Sequence, residues 1–81
     1  MRSTTLARFL LGQIEDAMAV RSLTPLLSDP DAEVRAITAW ALGQIESGSA
    51  LPALEKAKGD SSATVRRAVQ WAIRQIDDDR R

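Results

Sequence analysis

Apolar residues return at spacings of three and four along most of the chain, and turn-forming residues interrupt them at regular intervals. The clearest run is Asp29 to Ile45, DPDAEVRAITAWALGQI, in which Val34, Ile37, Ala41, Leu42 and Ile45 share one helical face. Asp29 can accept hydrogen bonds from the free amides of the first turn, and Pro30 suits N1, where a missing donor costs nothing. Asp31 and Glu33 place negative charge at the positive end of the helix dipole. Pattern, cap and dipole together predict a helix over 30–45.

The pattern recurs at a fixed distance. Val34, Ala41, Gln44 and Ile45 match Val65, Ala72, Gln75 and Ile76, each 31 positions later, and Gly12-Gln13-Ile14-Glu15 matches Gly43-Gln44-Ile45-Glu46 at the same offset. Leu6, Phe9 and Leu11 then fall on Ile37, Trp40 and Leu42 without a gap. Each unit has room for an A helix and a B helix. Five helices are expected, at about 4–14, 17–27, 30–45, 48–58 and 61–76, in one all-α domain spanning 1–81. The units are 4–28, 29–59 and a half-unit 60–77.

Side-chain chemistry suggests the boundaries. Ser3 or Thr4, Asp16, Ser47 or Ser49, and Asp60 are candidate caps, Pro52 lies in a first turn, and Gly59 is placed as a C′ glycine. Pro25 should kink or end the first B helix, because it removes the bond to the Arg21 carbonyl. A rival arrangement is one helix from Thr4 to about Ser22, followed by a turn at Leu26 and Leu27. The aligned Asp16 and Ser47 favour the break. No third B helix follows the last A helix, so its stripe Val65, Ala68, Val69, Ala72, Ile73 and Ile76 is expected to lack full cover.

The segments DPDAEVRAITAWALGQI at 29–45 and SGSALPALEKAKGD at 47–60 resemble HEAT repeats, in particular the short bacterial kind found in phycobilisome-lyase-like proteins. An Asp followed six residues later by an Arg occurs twice, as Asp29 with Arg35 and Asp60 with Arg66. The resemblance covers about Thr4 to Ile76. It implies a right-handed α-α superhelix in which Asp29, Arg35, Asp60 and Arg66 form a ladder between repeats. It also implies a non-catalytic protein-binding scaffold or adaptor. Such repeats also occur in nucleic-acid-binding modules and in subunits of larger proteins such as bilin-lyase-like chaperones. The first repeat departs from the pattern, with Ser3 where Val34 and Val65 stand and Thr4 where the Arg should be, so its edge would serve as an N-terminal cap.

Composition narrows the chemistry. The 81 residues carry 11 basic and 11 acidic side chains, and this balance argues against a sequence-independent grip on nucleic acid. Arg66, Arg67, Arg74, Arg80 and Arg81 thicken towards the C-terminus, but Asp77, Asp78 and Asp79 lie among them without interleaved aromatics. There is no Cys and no His, hence no thiol nucleophile, no usual zinc ligand and no imidazole base. Glu15 and Glu46 are related by the repeat and make no acid–base pair. We therefore expect no enzyme activity, cofactor or metal. No apolar run approaches about 18 residues, so no membrane span is expected, and a cytoplasmic location is the default.

Protein partners remain, and a homodimer is the expected form. Phe9, Trp40 and Trp71 share one register, off the centre of the inward stripe. They either fill the grooves between neighbouring A helices, the preferred account, or form a contact ladder, with Trp71 the expected exception. The candidate self-association residues are Trp40, Val69, Trp71, Ile73 and Ile76, with the third A helices packed together or exchanged. A second candidate surface is the B side, around Arg21, Ser22, Thr24, Glu55 and Lys56. Gly12 and Gly43 each cost a helix about 1 kcal/mol relative to Ala, which suggests close helix approach at both.

Overall fold

The computed structural model describes residues 2–80, with side chains described from Leu6 to Asp77. Four α-helices form among the described residues: α1 (Arg2–Leu23), α2 (Ala32–Ile45), α3 (Leu51–Lys56) and α4 (Ala63–Arg80). 3₁₀ turns follow α1 at Thr24–Ser28 and flank α3 at Gly48–Ala50 and Ala57–Gly59. The expected five-helix arrangement is corrected at its start, because the first A and B segments form one helix.

No break occurs at Asp16. An aspartate inside a helix costs at most about 0.7 kcal/mol relative to Ala, whereas interrupting the helix would free several backbone groups from their partners. The strong signal lies further on. Pro25 falls in the first positions of the 3₁₀ turn 24–28, where its missing donor is harmless, so it ends α1 without kinking it.

The caps lie two residues later than expected. Asp29 Oδ1 accepts from the Asp31 amide at 2.8 Å, and Asp31 Oδ1 accepts from the Glu33 amide at 2.9 Å. Asp31 is thus the N-cap of α2, and Pro30 stays outside the helix. In the same way Asp60 Oδ1 takes the Ser62 amide, leaving Ser62 Oγ to face the amide of Val65 at the entrance of α4. Each aspartate forms a turn that delivers the chain to the true cap. Gly59 does not adopt the left-handed conformation expected of it; Glu46, with φ 58°, does so at the end of α2.

The core lies between α2, α3 and α4. Ala39, Leu42, Ala50, Leu54, Val65, Val69, Ala72 and Ile76 are fully buried there, and Val20 and Leu27 join them from the end of α1 and its turn. α4 packs chiefly along α2 and also meets α3 with its flanking turns. That second layer covers the stripe expected to be bare: Val69 and Ile76 are sealed and Ile73 nearly so. Thr38 is buried as well, and its hydroxyl donates to the Val34 carbonyl at 2.7 Å.

Candidate functional site

The joint between α2 and α4 fixes the register of the two repeats. Arg35 lies near the start of α2, and its guanidinium spans to the next repeat. Nε donates to Asp60 Oδ2 at 2.8 Å and Nη2 to Asp60 Oδ1 at 3.1 Å, a two-pronged pair on side chains 14% and 10% exposed. Nη1 donates back to the carbonyls of Asp29, at 2.8 Å, and Pro30. Arg66 Nη1 donates to the Asp60 carbonyl at 2.7 Å. The four residues are therefore linked through Arg35 and Asp60, while the Asp29 carboxylate serves its own turn. The bonds from Arg35, then the Ser62 amide, hold the Asp60 carboxyl below its ordinary range, and the carboxylate in turn raises Arg35.

Halfway along the same joint the rings of Trp40 and Trp71 stack, with centroids 5.0 Å apart and planes 10° from parallel. Gly43 makes this approach possible. A Cβ built on it would stand 2.5 Å from Trp71 Cζ3 and 2.9 Å from the Ala72 Cα. At Gly12, the equivalent position one repeat earlier, nothing lies within 4 Å, so close approach holds for Gly43 and not for Gly12 in this structure.

The chain's bare apolar surface lies on the opposite side from the one expected. Leu6, Phe9, Leu10, Leu11, Ile14 and Met18 of α1 are between 50% and 63% exposed. At 100° per residue they sweep an arc of about 200°. Ile37 and Trp40 of α2 are bare as well, at 64% and 53% exposure. Spacing places Ile37 on the inward face; α2 instead turns Thr38, Ala39, Leu42 and Gly43 to the core.

Of the residues proposed for self-association, Val69, Ile73 and Ile76 are core residues of α4 and offer no surface. Trp71 is half-buried against Trp40, so Trp40 alone of the five is largely exposed. The exposed face of α1 carries the same helical pattern as a core helix, so spacing alone does not mark it as bare. The signal that marks it is the absence of Pro between residues 2 and 24, which permits the long helix.

On the B side, a groove of about 850 Å³ runs between the end of α1 and α3, with Val20, Arg21, Pro25, Pro52, Lys56 and Asp60 among its walls. Arg21, Ser22, Glu55 and Lys56 are exposed beside it, Thr24 is half-buried, and Glu55 pairs with Lys58 at 3.2 Å. Solvated charges rim that groove, while Val20, Pro25, Leu27, Pro52 and Ala53 make its walls largely apolar. Among the described residues no helix is long and apolar enough to cross a membrane, and no cluster of three or more acidic side chains could hold a metal ion.

A family model described as HEAT repeats matches residues 5–80 of the chain. No match was found among curated proteins or among solved structures.

Proposed function

Because the chain belongs to the HEAT-repeat family, we propose that it is a non-catalytic protein-binding module whose contact surface is the A-helix side of α1 and α2. One observation carries this: six large apolar side chains stand at least half exposed over a broad arc of α1, and Ile37 and Trp40 of α2 are more than half exposed as well. A helix that faces solvent keeps its apolar stripe against a core. Here the stripe of residues 6–18 has none, and removing such area from water is the usual drive for association. The B-side groove offers less, since its apolar walls are mostly prolines and small or half-buried side chains and its rim carries solvated charges. The family's typical role is likewise interaction without catalysis.

A photo-crosslinking side chain placed at Phe9 or Ile37 tests the surface, with Glu55 as the B-side control. Discrete protein adducts are expected at the first two positions, competed by excess unlabelled chain and missing at Glu55. No adduct at Phe9 and Ile37, or the same adducts at all three positions, overturns the proposal.

A further inference from the structure

The repeat supplies both halves of a joint that this fold leaves open. Position by position at the 31-residue offset, Phe9 precedes Trp40 and Trp71, Gly12 precedes Gly43, Leu11 precedes Leu42 and Ile73, and Ile14 precedes Ile45 and Ile76. Between α2 and α4 this set makes a closed contact, with Trp71 seated over Gly43 and stacked on Trp40. Leu42 is fully buried and Ile45 half-buried in it or beside it, whereas their counterparts Leu11 and Ile14 are each 56% exposed. Trp40 has its second ring face available, and Gly12 has open space where its counterpart has a ring.

We infer that residues 2–15 of α1 dock on α2 of a second copy of the chain and receive that copy's own arm in return. Phe9 then stacks on Trp40 of the second copy, that Trp40 sits over Gly12, and Leu11 and Ile14 reach the core beside Val20 and Leu27. Each copy completes the other's first repeat.

The continuity of α1 selects a second copy over the arm's own α2. The helix runs unbroken from Arg2 to Leu23, a rod of about 33 Å, in a molecule whose extents are 49 × 26 × 16 Å. Folding back onto its own α2 would require the chain to break near Glu15 and Asp16 and surrender several backbone hydrogen bonds. The arm of a second copy reaches the same site with α1 intact. Exchange about a two-fold axis is closed, so it ends at a dimer and does not propagate into a fibre.

This inference rests on the proposed binding surface and names its partner. Light scattering after gel filtration, from micromolar to millimolar chain, should show a dimer. Two substitutions locate it. Gly12→Leu adds a good helix former into open space in the free chain but collides with Trp40 of the second copy; Ile37→Arg changes a side chain that is 64% exposed in the free chain but lies under the arm in the dimer. Both should raise the dimer dissociation constant by at least about tenfold, a shift equivalent to ~1.4 kcal/mol. Helix content by circular dichroism should not fall. A monomer at every concentration overturns the exchange. So does a dimer indifferent to Ile37→Arg, which would pair through α1 alone. A monomer that still forms the Phe9 adduct with another protein overturns the exchange and leaves the binding surface standing; loss of both refutes both.

Discussion

Gly43→Ala tests the packing of α2 against α4 most sharply, because two effects of opposite sign meet at one carbon. Alanine in place of glycine inside a helix is worth about 1 kcal/mol in favour of the folded chain. Against that, the new Cβ would lie 2.5 Å from Trp71 Cζ3, 2.9 Å from the Ala72 Cα and 3.0 Å from the Ala72 Cβ. The Trp71 ring could tilt, but only by leaving its stack on Trp40, an arrangement worth about 0.5–1.5 kcal/mol beyond the area it buries. The Ala72 Cα is backbone of α4 and can yield only if the two helices separate. Overfilling a packed contact in this way costs about 1–3 kcal/mol.

The sum is a net loss of about 2 kcal/mol, since the clash and the spoiled stack together exceed the gain in helix propensity. For a domain of this size that corresponds to a fall in Tm of about 8–16 °C. Thermal unfolding followed by circular dichroism measures it, and tryptophan fluorescence reports whether the stack has opened. A Gly43→Ala chain that melts at or above the wild-type temperature would show that α2 and α4 do not approach as described, and the register of the repeats would fall with it.

Two smaller tests concern local chemistry. Glu46 holds φ 58° at the end of α2, a left-handed conformation that costs an L-residue about 1 kcal/mol; Glu46→Gly should raise stability by up to about that amount, and a drop in Tm would show that the Glu46 side chain contributes more than its backbone strain costs. Asp60 has its carboxyl held below the ordinary value of 3.8, chiefly by Arg35, so its contribution is complete above that value and is lost as pH falls through the lower folded one. Asp60→Asn should therefore melt below wild type near neutrality, with the difference closing in acid, and a constant difference across that range would exclude the ion pair as its source.

The legible part of this fold is what repeats. α2 and α4 could be placed from spacing alone, because Val34, Ala41 and Ile45 return 31 residues later as Val65, Ala72 and Ile76. The B segment, expected as a helix over about 48–58, falls in that place as the short α3 between two 3₁₀ turns. Details at the ends were less accessible. In Asp29-Pro30-Asp31 two acceptors lie two residues apart, and a one-dimensional pattern cannot say which carboxylate forms the turn and which the cap. The bare stripe expected on α4 reflected counting B helices, when one B helix can serve the A helices on both sides of it. α3 and its flanking turns pack directly on α4 here, which is why Val69 and Ile76 are sealed.

The first repeat shows a deeper limit. Leu6 to Ile14 carry the same spacing as a core helix, and spacing records that a face needs cover without recording whose cover it takes. Asp16 could open a turn as a cap or remain within a helix at a small cost, so the local signal there is nearly balanced. In such a case the choice between a hairpin and a rod depends on the surfaces each would bury. A hairpin would close Gly12 over Trp40 within one chain; the rod leaves both open and makes their closure depend on concentration. The same residues can thus encode a complete repeat or an exchanged one, and the continuity of α1 through Asp16 is the observation on which the proposed exchange rests.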